Sequence, residues 1–581
     1  MPHRFLAALL ALLLPLLVAC NTGAENGTAP ETSQLATATQ PLVSATTSTN
    51  MVLPTPTVAP PIILTATSTP EAEPAATSTS SATSPPTESP PTTTSQPPTA
   101  TALAPVTATP SITPTEAGSA LPERAPLDAH LQLLHPDLPV PDLGPMPRYV
   151  ISATLDPPLL RGQMQLTLPN NSEEPLADVV LRLYGNARTI YTGSRMAATN
   201  PRVNGQPVPW QEESGRTTLR LLLPEPLQPG ESADIMLDFE TEVATGSFQG
   251  YGIQQSAHGI SVFGSPFPLL ALRDGAGWRV PAIPAVGDAA SSPTAFWDLF
   301  LEVPDDLTLV TTGQPLPTES GLTHIASGPA RDVALVALPA GMQPIESTVA
   351  GVQLRYWPAT YVHSEAFPVG DAAVVAARSI EAFTADFGPP PYAQLDVVEA
   401  QVPIGGYEYP GLVLFDGQRR AQADRAGIDF LVPHEVAHQW FYALLGNDVT
   451  REPWIDEGLA TFAQLRYLLR ARGADAMLAQ RQRWESEYAG ALARRPVGVN
   501  RPLFGYSDWL SYRGPTYYAS AILFDDLRQR LGDAPFREAV RRLTTEYAFE
   551  EVTTAEVQAT FDEVAAENGI SLSDFWPRWL E

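Results

Sequence analysis

The run His434-Glu435-Val436-Ala437-His438 gathers residue types that could do chemistry at one point in space. It falls in a segment, 430–445, whose pattern predicts a helix with Gly446 as its stop. Pro433 is compatible with that helix only if the helix starts within about one turn of it. Histidines at i and i+4 share a helical face, close enough to hold one cation between them. Neutral imidazole suits zinc, and the intervening Glu435 can reach a water at the ion. A third donor is available in Glu457, 18 residues past His438, in the run Trp454-Ile455-Asp456-Glu457-Gly458-Leu459-Ala460. That interval lets the first helix finish, a short loop turn, and a second helix lay its first turn beside the site. Singly, the histidines could be packing residues and Glu457 a helix-start acid favoured by the dipole. Together they point to a metal held by His434, His438 and Glu457.

A second constellation, Gly405-Gly406-Tyr407-Glu408-Tyr409-Pro410-Gly411, follows a strand expected over 395–402. Gly405 and Gly406 allow close backbone approach to a substrate. Glu408 could bind a free ammonium group as a charge-assisted pair. Without the metal motif beside it, the same run would read as a Gly-rich turn carrying a solvated acid.

The combination resembles the gluzincin metallopeptidases, and specifically the M1 aminopeptidase family. Members carry H-E-x-x-H, eighteen residues, then Glu, whereas the thermolysin group spaces its Glu one residue further. His438-Gln439-Trp440-Phe441 is similar to the family's run after the second His, and Gly405 to Pro410 resembles its G-x-M-E-N exopeptidase motif in a variant ending Glu-Tyr-Pro. The resemblance covers roughly residues 145–581. It implies an α+β multidomain protein: a β-rich, saddle-like N-terminal domain over 145–350, then a thermolysin-like catalytic domain over 351–581. It implies one zinc ion per chain and hydrolysis of peptide bonds, most readily removal of N-terminal residues. Glu435 would be the general base, and Glu408, with Gly405 and Gly406, would receive the substrate's N-terminus. It also implies a phenol ahead of a helix. Tyr517, in Tyr517-Tyr518-Ala519-Ser520-Ala521, matches that register, with Ser520 where members carry Gly, and would stabilise the oxyanion. Three departures stand out. Gln464 occupies a position that is acidic in many members. A second ammonium-binding group from the β domain is not matched around 263–278. The large C-terminal helical domain of many members is expected to be missing, leaving a more open cleft. Alternatives are an endopeptidase on the same scaffold and a non-catalytic, surface-binding lipoprotein with a peptidase fold.

The elements that must position these residues are legible in outline. Alternating apolar segments at 149–155, 163–168, 179–183, 217–223, 296–303 and 307–312, separated by Gly, Pro and Asn turns, predict an all-β, sandwich-like region. The period then changes. Residues 371–387 read as a helix, 395–402 as a strand, and helical patterns dominate from 429 onward, with an irregular loop between about 497 and 515.

The remainder of the chain concerns delivery. An apolar run, 5–19, follows His3 and Arg4 and ends at Cys20, the one cysteine in 581 residues. That length suits a signal-peptide core over 1–20 better than a membrane span. Leu17-Val18-Ala19-Cys20 resembles the bacterial lipobox, which implies lipidation at Cys20, a membrane anchor and an extracytoplasmic location. Residues 21–120 contain neither aromatics nor Arg and are rich in Thr, Ser and Pro. Such a segment cannot bury enough apolar surface to order itself, so 21–124 is expected to be a disordered stalk. One cysteine excludes a disulfide framework and a Cys-ligated zinc site. A formal net charge of −29 argues against nucleic-acid binding and leaves peptide substrates and the membrane as expected partners.

Overall fold

The computed structural model describes residues 121–580 except 247–249, 289, 319–320, 364–367, 423 and 495–497. The expected signal sequence, Cys20 and nearly all of the expected stalk lie outside the described residues.

The first region is built of strands. Arg148–Asp156 pairs antiparallel with Leu159–Pro169 and parallel with Ala295–Glu302, at the centre of an eight-stranded sheet. A five-stranded sheet containing Leu307–Thr311, a four-stranded sheet containing Leu176–Arg182 and Thr218–Leu227, and a two-stranded ribbon of Arg273–Asp274 and Gly277–Trp278 accompany it. Leu159–Pro169 and Ser232–Glu242 alternate in burial, as half-covered antiparallel strands must. Ala295–Glu302 is buried at all but its last position, which matches its continuous apolar sequence. Tyr149 and Trp297 lie directly opposite in the parallel pair and stack at 3.8 Å. All six expected strands are present, with ends shifted by up to four residues.

The second region starts from a five-stranded sheet in the order Ile345–Val349, Val352–Trp357, Gln394–Ala400, Leu412–Asp416, Gly406–Tyr409. Its three inner strands are parallel and its edges antiparallel. Leu395, Val397, Val413 and Phe415 face the helical core, whereas Val398, Ala400, Leu412 and Leu414 face the core of the β-rich region. The sheet is thus a wall between two apolar interiors, so its central strands are apolar on both faces and show no clean alternation. The helix Val369–Phe387 packs on the helical side, with Arg425–Ala437, Asp456–Arg472 and Ser520–Leu531 beyond it.

Charged pairs are sunk into this wall. Arg420, 2% exposed, grips fully buried Glu399 with two hydrogen bonds of 2.6 and 2.8 Å. The same carboxylate accepts from Tyr356 Oη at 2.7 Å and from the Ala359 amide at 2.9 Å. Such a pair is poorly replaced on one side only, because the abandoned charge keeps its full desolvation cost. Arg420→Met is therefore expected to lower unfolding free energy by about 3–5 kcal/mol in urea or thermal denaturation. A loss under about 1 kcal/mol would show that the pair is not structurally coupled.

Candidate metal centre

The helix carrying the histidines runs Arg425–Ala437, begun by Asp424, whose side chain accepts the Gly427 amide at 2.9 Å. This corrects the expected span of 430–445 at both ends. Pro433 lies well inside the helix rather than within its first turn. Proline cannot bond to the carbonyl one turn back and distorts the ladder there. Gln464 of the facing helix donates its Nε2 to the Phe430 carbonyl, one residue past the Asp429 carbonyl that Pro433 cannot reach, at 2.8 Å. An ionised carboxylate at 464 would have no proton for that bond, which gives the departure from an acidic residue a structural role.

The helix stops at His438 because the next turns are wide. The amides of Ala443, Leu444 and Leu445 bond five residues back, to His438, Gln439 and Trp440. Leu445 therefore passes over the Phe441 carbonyl, which instead accepts His438 Nδ1 at 2.8 Å. A carbonyl can only accept, so the proton of the neutral ring is on Nδ1 and Nε2 presents a lone pair. The rest of the run is equally committed. Gln439 holds the Glu408 strand through the Tyr409 carbonyl at 3.1 Å and the Gly411 amide at 2.8 Å, and Trp440 Nε1 donates to the Gly388 carbonyl at 2.9 Å.

The three expected ligands converge. His434 Nε2 and His438 Nε2 are 3.2 Å apart, and Glu457 Oε2 is 3.1 Å from the first and 3.6 Å from the second. All three side chains are buried. Donors about 2.0–2.1 Å from a tetrahedral ion lie roughly 3.3–3.4 Å from one another, so the triangle matches a zinc site with a fourth position for another ligand. The set of two imidazoles and one carboxylate fits zinc chemically as well. Gly458, next to Glu457, has no room for a Cβ, which would come within 2.5 Å of the Ser520 Cβ. That close crossing brings the helices Asp456–Arg472 and Ser520–Leu531 together and keeps residue 520 small.

Glu435 lies against the edge strand. A Cβ on Gly406 would come 2.3 Å from Glu435 Oε1, so this glycine makes room for the acid rather than only for a substrate. Gly405 has φ +118°, a conformation that favours glycine, and its face is closed by Leu431. Glu408, Glu435 and His438 bring ligand atoms within 4.8 Å of one another. Because His438 has a single free nitrogen, already turned to the first site, this second group is not an independent metal site. Tyr517 is stacked on His434 at 5.6 Å and donates its hydroxyl to Glu457. Tyr518 stacks on Trp484, and Tyr512 is buried behind Tyr517.

Tyr517 stands on a π-helical turn, Gly514–Ala519, that continues a short helix, Trp509–Arg513. A loop was expected there. Asp508 and Ser511 form a reciprocal cap that starts the helix, a pattern readable as Asp-x-x-Ser but short enough to overlook. The sequence reading also missed Asp288, Trp509 and Arg513, which line the same cleft as Glu408, Glu435 and the ligands. Asp288 comes from the Pro-rich loop ahead of Ala295–Glu302, and nothing local in that loop marks it as a site residue.

The cleft is electrostatically unbalanced. Burial pushes the Glu408 carboxyl well above its usual range, and the nearby Asp288 charge adds to this. Asp288 is raised in the same way by burial and by Glu457. Burial pushes Glu435 up to about 8. Glu457 is the exception: burial would raise it, but hydrogen bonds from His434 and His438 hold it well below the usual carboxylate range. A divalent ion beside Glu435 favours its ionised form, which a proton acceptor requires. Removing a ligand should be visible without any turnover. His438→Ala and Glu457→Gln are each expected to weaken zinc binding roughly 100-fold or more in competition with a chromophoric chelator. Unchanged stoichiometric zinc in either variant would remove that residue from the ligand set.

Residues 379–579 match the family model described as the peptidase family M1 domain. Among curated proteins, the chain is similar to aminopeptidase M1-B of Oryza sativa subsp. japonica, 24% identical over 314 residues, and to aminopeptidase M1-A of the same organism, 26% identical over 310. Each match covers 49% of this chain and 34% of the relative, so the chain spans about a third of the length of these relatives. Among solved structures, the M1 zinc metallopeptidase from Deinococcus radiodurans superposes with a TM-score of 0.54 at 22% identity, over 75% of this chain and 94% of that one. A mutant of a two-domain M1 zinc metallopeptidase bound to L-arginine gives 0.55 at 21%, over 77% and 96%. The fold, a β-rich region followed by a sheet and helices, is that of the two-domain M1 structures. The zinc-shaped triangle of His434, His438 and Glu457 lies inside the segment, 379–579, that matches the peptidase family M1 domain.

Proposed function

We propose that this protein is a zinc-dependent aminopeptidase. The observation that carries the reading is the acidic seat beside the metal triangle. Glu408 stands with Glu435 and His438 within 4.8 Å, and Asp288 lines the same cleft. Buried carboxylates without a cation are costly, and the α-ammonium of a peptide is a cation of the right size to enter beside the ligands. Held there, the substrate presents its first peptide bond to the metal.

Zinc, when bound, supplies Lewis-acid polarisation of the scissile carbonyl and a more acidic water. Glu435 takes the proton from the attacking water as its oxygen bonds to the carbonyl carbon. It then returns that proton to the nitrogen as the C–N bond breaks, giving a free amino acid and a shortened peptide. Tyr517, already turned to Glu457, donates its hydroxyl to the oxygen that gains charge. Asp288 supplies from the β-rich region the second ammonium contact that no motif predicted. The similar rice proteins are aminopeptidases, and one structural neighbour, a mutant M1 zinc metallopeptidase from Deinococcus radiodurans, is bound to a Tyr-Ser-Ala substrate.

The deciding experiment compares peptides with free and acetylated N-termini, with and without a chelator. Free-amine peptides are expected to be cleaved at least tenfold faster, and Asp288→Asn to raise KM for them without changing the zinc content. Glu435→Gln is expected to keep zinc and lose turnover by roughly 1,000-fold or more. Equal cleavage of acetylated peptides would make the protein an endopeptidase, and no cleavage by zinc-loaded protein would make it a binding protein.

We further propose that Cys20 is lipidated and anchors the head outside the cytoplasm through the stalk. The support is the position of Leu17-Val18-Ala19-Cys20 directly after the apolar run. Among the described residues no helix is long and apolar enough to cross a membrane. Cys20→Ser is expected to shift the protein from the detergent phase to the aqueous phase in phase partitioning. An unchanged distribution would exclude the lipid anchor.

A further inference from the structure

The cleft has an acidic end and a cationic rim. Among the described residues that line it, Arg513 is the one arginine. Its position follows from the helix. Trp509, Arg513 and Tyr517 are spaced four apart through Trp509–Arg513 and the turn Gly514–Ala519, so they form one stripe, and all three face the cleft. Tyr517 ends the stripe at the metal ligands, through Glu457 and His434. Trp509, 42% exposed, forms its outer end, edge-on to Tyr517 at 5.5 Å. Arg513 lies between the two, one turn from the catalytic phenol.

The guanidinium is held but not used up. It stacks over the Tyr518 ring at 5.3 Å and donates once to Glu487, at 3.0 Å, with both side chains 36% exposed. Arginine presents five N–H donors in a planar fork, so donors remain for a second carboxylate in the same plane. A turn of helix spans about 5.4 Å and each residue of an extended peptide about 3.3–3.6 Å. A carboxylate one or two residues beyond the cleaved bond therefore falls within reach of Arg513.

We propose that Arg513 forms a subsite for the C-terminal carboxylate of short peptides, so that the cleft selects di- and tripeptides by both charged ends. This rests on the aminopeptidase reading above, which assigns the acidic end to the ammonium. The match is of charge order as well as of length: carboxylates beside the ligands receive the positive terminus, and the arginine on the rim receives the negative one. Longer peptides place an uncharged backbone at Arg513 and gain nothing from it. The side chain acts through binding and touches no reacting atom.

The test compares a tripeptide carrying a free C-terminal carboxylate with its C-terminal amide, both with free N-termini. Wild-type protein is expected to favour the acid about tenfold in kcat/KM, expressed in KM rather than kcat. Arg513→Ala should bring the ratio of acid to amide close to one, and Arg513→Lys should restore part of it. Glu487→Gln breaks the same ion pair but keeps the guanidinium, so it should keep or raise the preference. The same comparison is made by calorimetry on zinc-loaded Glu435→Gln protein, which reads binding where there is no turnover. An acid-to-amide ratio near one in wild type overturns the proposal. So does a ratio that survives in Arg513→Ala, or one lost equally in Glu487→Gln, which would assign the effect to the broken pair. Cleavage of acetylated peptides would instead count against the exopeptidase reading, and that arm is independent of the ratio.

Discussion

Three buried atoms with lone pairs aimed at one point govern the organisation of this molecule. His434 Nε2, His438 Nε2 and Glu457 Oε2 lie 3.1–3.6 Å apart. Without a cation such an arrangement sets acceptors against one another in a dry site, and that is tolerated only if the surrounding structure fixes each group. The fixing is visible on every side. The wide turns after His438 free the Phe441 carbonyl to orient its ring, Gln464 ties the facing helix to the Phe430 carbonyl one turn before His434, and the absent Cβ of Gly458 lets the third ligand's helix pack closely. The metal site is thus a property of how two helices are ended and crossed, more than of the ligands themselves.

The five-stranded sheet has a corresponding role for the cleft. Its edge strand, Gly406–Tyr409, brings Glu408 to the same cleft, fastened at its end by Gln439. Because this sheet is buried on both faces, a charge within it needs a fixed partner, and Glu399 with Arg420 and Asp396 with Arg355 show how that is met. Among the described residues, no arginine forms an ion pair with Glu408 or Asp288, which face the cleft. That contrast separates acids paired within the fold from acids left open to the cleft.

Much of this was legible along the chain. The i, i+4 histidines, the interval to Glu457 and the Gly-Gly-x-Glu run are local patterns whose geometry follows from helix and strand periods. The strands of the β-rich region were legible for the same reason, since one covered face imposes alternation. Boundaries were less so. The helix Arg425–Ala437 ends eight residues earlier than periodicity implied, because apolar spacing continues through 445 while hydrogen bonding changes to wide turns. The short helix Trp509–Arg513 leaves no periodic signature, because a single capped turn has too few residues for a period to show.

The sequence by itself determined the chemistry: which side chains can bind zinc, which acid can move a proton, and which phenol stands ahead of a helix. Those are matters of residue type and of spacing within a single element. Only the tertiary structure decided that Asp288 enters the cleft from the β-rich region, that Gly406 makes room for Glu435, and that Arg513 faces the acidic end. Each of these depends on segments far apart in the chain being packed together. No periodicity records such a meeting, because it is fixed by the shape of two apolar cores and the sheet between them.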